Sequence, residues 1–491
     1  MIQTNAPPTL DGLFRRNLAR KPDALALLDP LNKQRVTGHQ PKRLTFAQAD
    51  RAISALSAHF IEAGLPNNSV IAVQLPNTVE FMLTVLAAHR AGLVVALLPL
   101  LWRQAELTVA LNRTGARAIV TTARIDGVNY ADLAMNAAAE AFSIRHVCGF
   151  GDELPEGMAS LDLALSGESG TTRAVTQDGR RAAMISFDVT VDGFRAVLRT
   201  HLSLIAGGLA LSLESDVPQG STLMSAFASA SFAGLASSLV VWLLSGGTLA
   251  LHHPFDGDVL EQQINEHCCE TLIAPAQLAL RLAEIDMASR LPTLRNVIGL
   301  WRAPEQVASS ALWTTQQAVL TDVYLFGEAG LFSARRAADG APAPILPGPH
   351  GAPREVPGAL IAGEVFLTPT GTLALRGPMV TPAAYAPPSP PGDFVDTDYA
   401  ARLDRATGAI CITAPPSGVM AVGGYRFLAQ DLQEWAKRLG EGALLTALPD
   451  RLSGHRLAGR AQNNARAREA LAELGLNPLM VEAFRDQTQP A

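Results

Sequence analysis

The residue types that most often carry chemistry are few in this chain and poorly spaced for it. The four cysteines, Cys148, Cys268, Cys269 and Cys411, have no metal-ligand spacing, and an adjacent pair rarely bridges itself. Four thiols in 491 residues fit a reducing compartment, so a cytoplasmic location is expected. His252 and His253, and the run His146-Val147-Cys148, lack acidic or thiol partners at ligand spacing, which argues against a zinc site. No G-x-S-x-G elbow and no paired nucleophile and base are present. What remains are the acids and bases, 45 Asp and Glu and 39 Lys and Arg, and spacing alone singles out none of them.

Those residues need a scaffold, and the composition allows a large one. Hydrophobic residues make up 48% and charged residues 17% of the chain, enough for a sizeable core. Apolar stretches at 70–74, 93–98 and 118–121 read as buried strands and alternate with helices at 78–91 and 104–112. That order implies βαβ units and a parallel sheet covered on both faces. The rhythm returns as a helix at 202–213, a strand at 247–252, a helix at 260–268, a strand at 271–274 and a helix at 276–285. Residues 339–393 are rich in Pro and Gly, with β-like pieces at 363–368 and 372–375. After Pro415 and Pro416 a hinge is expected near 415–424, and a helix near 465–474. The expected fold is therefore α/β. A large N-terminal domain, 1–412, holds two doubly wound α/β subdomains and a small β-rich lobe. A small α+β C-terminal domain, 413–491, follows.

The formal net charge of −6, with both signs scattered, excludes a basic nucleic-acid surface. Between 223 and 253 there is no Asp, Glu, Lys or Arg, but six serines and a Ser245-Gly246-Gly247 break interrupt the run. It reads as a buried helix over 232–244, a turn and a strand at 248–252, with no membrane span. The first residues, MIQTNAPPTLDGLF, carry no basic stretch followed by an apolar run, so no leader is expected.

Several short runs occur in a familiar order. They are Arg43-Leu44-Thr45-Phe46, Val73-Gln74-Leu75-Pro76-Asn77, Glu80-Phe81, Ala91-Gly92, Pro99, Glu106-Leu107 and Gly115-Ala116. Together they resemble the opening of the AMP-forming acyl-CoA synthetases, and the resemblance extends from about residue 10 to about 485. That family joins a carboxylate to AMP from ATP, then rotates its small domain and passes the acyl group to CoA. The resemblance implies ATP or AMP, Mg and CoA as cofactors. It implies a small carboxylic acid or an acyl-CoA as ligand, with a protein partner as a further possibility and no nucleic acid.

The family's motifs are met unevenly. Aligning back from Thr200-His201 sets 187–195 against the family's Gly/Ser/Thr-rich phosphate loop, and only Thr190 and Arg195 match. Val189 and Asp192 replace glycines that permit close backbone approach. Asp188 and Asp192 would repel a phosphate by on the order of 1 kcal/mol or more each. Two readings of this run stay open: a rebuilt phosphate site, or a solvated loop carrying two acids. Tyr324 and Glu328 match the tyrosine and the magnesium-binding glutamate, so Glu328 is either a cation ligand or a bonded acid beside an empty pocket. Asp398 stands for the ribose-binding aspartate, with the preceding glycine deleted. Ala303 and Pro304 match the adenine loop, in which Trp301 and Arg302 replace two glycines and could fill space meant for ligand. His201 would pack by the nucleotide or serve as a structural histidine. Thr271 and Pro275 match one wall of the acyl pocket, and Phe227, Ser231, Gly234 and Trp301 are placed on that pocket, sized for a medium-chain, cyclic or aromatic acid. Pro415, Gly418 and Ala421 replace the hinge arginine, aspartate and lysine, while Gly423-Gly424-Tyr425-Arg426 is intact. The segment from Asn477 to Arg485 resembles the run before the family's mobile lysine, and the last lysine of this sequence is Lys437. The expectation is a synthetase homologue, weak or inactive as a ligase, that acts by binding. The alternative is an active acyl-CoA synthetase with a rebuilt ATP site.

Overall fold

The strands form where apolar residues run without interruption. Val70–Val73, Val94–Leu97 and Ala118–Thr122 are buried at every position, as expected for strands covered on both faces. The computed structural model describes residues 7–166, 173, 175, 178–351, 361–381, 392–450 and 453–485. The three strands lie in a seven-stranded sheet ordered Gly193–Thr200, Ala182–Thr190, Val94–Leu97, Val70–Val73, Ala118–Thr122, His146–Phe150 and Ala159–Ser160. All neighbours pair in parallel except Gly193–Thr200, which folds back antiparallel.

A second sheet has eight strands, in the order Leu331–Arg335, Val319–Leu325, Asn296–Trp301, Thr271–Pro275, Thr222–Ser225, Thr248–Leu251, Leu25–Leu28 and Arg43–Thr45. It is parallel inside and antiparallel at both edges. The helix Val79–Arg90 is buried along its length except at Arg90. Such a helix carries little amphipathic signal and belongs to the interior. Its first N–H, on Val79, donates to Asp29 Oδ1 at 2.8 Å, and Lys33 Nζ bridges Asp29 and Glu80 at 2.6 Å each. That buried triad fixes the turn presenting Asn77.

The uncharged stretch folds as expected. Helical residues run from Phe232 to Ser245 with a π turn at Ala236–Val240, Gly246 closes them at φ +63°, and Thr248–Leu251 is the next strand. Among the described residues no helix is long and apolar enough to cross a membrane.

The β-rich lobe is an antiparallel sheet of Gly348–His350, Gly363–Leu367, Thr372–Arg376, Val395–Leu403 and Ile410–Ala414. Its last strand runs two residues past the boundary expected at 412. The remaining Pro-rich parts, 352–360 and 382–391, lie outside the described residues. At the C-terminal end a small α+β unit follows. The hairpin Val419–Val422 with Tyr425–Leu428 leads into the helix Ala429–Arg438, the hairpin Leu444–Asp450 with Gly454–Arg460, and the helices Asn464–Glu473 and Pro478–Glu482. Leu432, Leu445, Leu457, Leu471, Met480 and Phe484 give this unit a hydrophobic core of its own.

Candidate functional site

The run 187–195 is the end of a hairpin. Ala182–Thr190 and Gly193–Thr200 stay in register up to Thr190 opposite Gly193, so only Val191 and Asp192 make the turn. Ladder pairing takes the N–H groups of alternate residues, and side chains hold two of the others: Val189 N–H donates to Asp188 Oδ1 at 2.9 Å and Asp192 N–H to Thr190 Oγ1 at 3.3 Å. The physical cause is local: Phe187, Val189 and Val191 alternate with Asp188, Thr190 and Asp192, and Gly193 follows at φ +102°. Period-two alternation running into a short turn closed by a glycine is a hairpin signal.

Asp192 is exposed and pairs with Arg195, so the solvated reading holds for that acid. It fails for Asp188, whose side chain is 9% exposed. Asp188 Oδ2 accepts the Glu328 N–H at 2.8 Å, and Arg426 Nη1 lies 3.3 Å from both carboxylate oxygens. Arg426 Nη2 also donates to the Tyr399 hydroxyl at 3.1 Å. Burial alone would lower the Arg426 pKa, but Asp188 and Tyr399 more than offset it and hold the guanidinium charged. Gly327 makes this contact feasible, because a Cβ there would fall 2.2 Å from Asp188 Oδ2 and 2.3 Å from Arg426 Nη1. Arg426 comes from the C-terminal hairpin, so the ion pair ties that unit to the seven-stranded sheet.

Glu328 is buried beside this pair. Its Oε2 accepts the Phe232 N–H at 2.9 Å at the start of the helical run. Burial pushes its carboxyl pKa up, partly countered by Arg199. Arg199 itself is fully buried, donates to the carbonyl oxygens of Glu328, Ala329 and Met379, and lies 3.6 Å over the Phe232 ring. Burial brings its pKa down to about 10. Among the described residues no three His, Cys, Asp or Glu side chains gather as metal ligands.

A small cavity of about 110 Å³ brings together Thr190, Arg195, Glu328 and Asp398, with Asp188 and Arg426 on its wall. Asp398 occupies a left-handed conformation at φ +61°. With the family's glycine deleted, the aspartate carries the turn itself, which Asp tolerates better than most residues. Its N–H donates to Asp396 Oδ1 at 2.9 Å, and burial, then Asp396 and Asp192, push its carboxyl up.

A larger cavity of about 590 Å³ lies between the carboxyl ends of the parallel strands and the C-terminal unit. Leu75 and Pro99 follow the strands Val70–Val73 and Val94–Leu97, which is where ligands of open α/β sheets bind. Ala228 to Ser231 line one wall, and Tyr425, Trp435 and Met480 the other. Of the four residues placed on an acyl pocket, Ser231 lines this cavity. Phe227 lies behind the wall, where its carbonyl accepts from Asn77 at 2.8 Å. Gly234 allows the helix to approach Ala228, whose carbonyl oxygen would be 2.3 Å from a Cβ. Trp301 points into the core, its Nε1 donating to Asp322 Oδ1 at 2.7 Å. Its neighbour Arg302 faces the cavity, 4.2 Å over the Phe227 ring, and Nη1 donates to the Gly423 carbonyl at 3.0 Å.

Tyr324, Ala303 and Pro304 are buried without lining either cavity. Tyr324 is directed toward the Ala343 carbonyl, 3.5 Å from its hydroxyl. His201 also stands apart: it opens the helix His201–Glu214, accepts from the Leu10 N–H at 3.4 Å and packs edge-on against His89 with ring centroids 4.6 Å apart. Burial depresses both imidazoles, His89 to about 4. The unfolded chain therefore binds more protons than the folded one between pH 4 and about 6.5. Stability is full above that window and falls as pH drops through it, by about 3 kcal/mol for His89. Urea unfolding at pH 7.5 and pH 4.5 checks this, and His89→Phe is expected to reduce the difference.

A model described as AMP-binding enzyme matches residues 14–382. The medium-chain fatty-acid–CoA ligase of Escherichia coli (strain K12) is 26% identical over 202 residues, 40% of this chain and 34% of that protein. The 4-coumarate–CoA ligase 3 of Arabidopsis thaliana is 23% identical over 306 residues, 60% of this chain and 53% of that protein. The chain thus spans about a third and about half of the length of these two relatives. Among solved structures, a double mutant of Bacillus subtilis o-succinylbenzoate CoA synthetase with its product analogue superposes with a TM-score of 0.73 at 14% identity, covering 97% of this chain and 94% of that one. The amide bond synthetase McbA of Marinactinospora thermotolerans gives 0.72 at 18% identity, covering 95% and 94%. These likenesses show a shared fold.

Proposed function

The chain belongs to the AMP-binding enzyme family, and on that premise we propose that it keeps an acyl-side cavity without ATP-driven adenylation, acting as a binding protein for an apolar carboxylic acid or its CoA thioester. The observation that carries this reading is the closed hairpin Ala182–Thr190 with Gly193–Thr200, whose Asp188 is ion-paired to Arg426. A triphosphate needs free backbone N–H groups and a positive or neutral surround. The residues present do not fit it: the turn has two residues and no glycine-rich loop, the Val189 and Asp192 N–H groups are held by the Asp188 and Thr190 side chains, and Asp188 and Asp192 bring negative charge to it. Glu328 holds the Phe232 N–H through Oε2, and among the described residues no second or third acid joins it as a metal ligand set. The proposed binding role uses neither ATP nor Mg. The proposal includes a cytoplasmic pseudoenzyme acting in fatty acid metabolism, with an acyl group, an acyl-CoA or a protein as its partner.

One observation favours a second reading, an active acyl-CoA synthetase for a medium-chain, cyclic or aromatic acid. Thr190, Arg195, Glu328 and Asp398 do converge on the 110 Å³ cavity. However, small-molecule sites usually measure roughly 300–1,000 Å³, and only the larger cavity falls in that range. Pyrophosphate release measured with MgATP and CoA over a broad panel of acids separates the readings. The binding reading expects none above the protein-free rate, and release with any acid of the panel sinks it.

A further inference from the structure

The larger cavity is mostly apolar, yet two arginines line it among the described residues. They differ in one respect. Arg426 is neutralised by Asp188, whereas Arg302 has no carboxylate within ion-pair distance among the described residues. The acids on the cavity wall are otherwise engaged or remote. Glu328, whose charge reaches Arg302 from beyond ion-pair distance, accepts the Phe232 N–H, and Glu106 accepts the N–H groups of Arg103 and Asn477 at 3.0 and 3.1 Å. Asp431 is exposed at the rim.

Arg302 makes one hydrogen bond, to the Gly423 carbonyl, and rests its face on Phe227. A guanidinium carries five N–H donors in a planar fork, so most of its capacity is free for a ligand. Its position is built in, because a Cβ on Gly424 would fall 1.1 Å from Arg302 Nη1. Gly424, at φ +101°, leaves the space through which the side chain reaches. A half-buried cation held over an aromatic face, with donors free beside an apolar cavity, is a receptor for an anionic head group on an apolar body.

We propose that Arg302 is an anion anchor that makes this cavity select an ionised carboxylic acid over the neutral amide, ester or thioester of the same apolar group. The inference rests on the reading that the cavity holds an acyl group, and it narrows that reading from acid or thioester to the free acid. A fork-to-carboxylate pair binds the acid and also stabilises its unreacted form, in keeping with retention and not activation.

Calorimetry at pH 7 with matched pairs (octanoate and octanamide, cyclohexanecarboxylate and its amide, benzoate and benzamide) tests it on the unaltered protein. At least one acid is expected to bind roughly 10- to 100-fold more tightly than its amide, the range of a charge-assisted hydrogen bond. Arg302→Gln should reduce that ratio to about threefold or less, with Arg302→Lys retaining part of it. Equal binding of acid and amide overturns the anchor and leaves the acyl cavity standing. Failure of every acid and amide to bind overturns the acyl cavity itself. Inorganic phosphate or AMP binding more tightly than every acid, and lost in Arg302→Gln, overturns the choice of carboxylate.

Discussion

Arg426→Ala is expected to lower the free energy of unfolding by about 3 kcal/mol or more. The pair it breaks is largely shielded from water, with side chains 11% and 9% exposed for Arg426 and Asp188. Removing one member of a buried pair typically costs about 3–5 kcal/mol, because the remaining charge stays buried without its counterion. Asp188 would keep the Glu328 N–H at 2.8 Å and the Val189 N–H at 2.9 Å, which places the expected loss toward the lower end of that range. Asp188→Asn in the same background removes the orphaned charge and should recover at least half of the loss. Urea unfolding of the two single variants and the double variant closes the cycle. A loss under about 0.5 kcal/mol in Arg426→Ala would mean the pair behaves like an exposed one and does not hold the C-terminal unit in place.

Asp322→Ala is expected to cost at least as much, about 4 kcal/mol. Asp322 is fully buried and serves two partners. Its Oδ1 accepts from Trp301 Nε1 at 2.7 Å and Arg336 Nη2 at 3.2 Å, and its Oδ2 accepts from Arg336 Nε at 2.8 Å. The alanine leaves Arg336 without its counterion and the indole N–H without an acceptor, two separate penalties. Burial pushes the Asp322 carboxyl up, countered by Arg336, so the asparagine variant should lose clearly less than the alanine. Trp301 ends the strand that delivers Arg302 to the cavity. Asp322→Ala should therefore also weaken carboxylate binding in whatever protein remains folded. Soluble yield and chemical unfolding measure the first effect. Equal stability of Asp322→Ala and wild type would contradict it.

Much of the scaffold was readable because its signals are local. The β-branched run Val-Ile-Ala-Val at Val70–Val73, bounded by turn residues, favours a covered strand, and Gly246 after an apolar helical stretch favours a left-handed stop. The parallel sheets follow from such runs alternating with helices. The site was harder, because its bonds join residues far apart in the chain. Asp188 and Arg426 are 238 positions apart, and nothing near either one announces the other. Trp301 and Arg302 both stand as bulky residues in place of glycines, but Trp301 is the last residue of its strand and Arg302 the first beyond it, and their side chains part. One enters the core on Asp322 and the other lines the cavity. His201 kept its place in the family's order while packing on His89, so matching order did not reveal which cavity a side chain faces. The hairpin at 187–195 has a local signal in its alternation, but Thr190 and Arg195 match a glycine-rich loop and point the other way.

The proposed loss of the nucleotide seat at the hairpin and the Asp188–Arg426 pair is checked by calorimetric titration of the full chain with ATP and excess magnesium. No saturable heat is expected below about 1 mM ATP, equivalent to binding weaker than about 4 kcal/mol. A micromolar dissociation constant for MgATP, with one site per chain, would overturn the proposal.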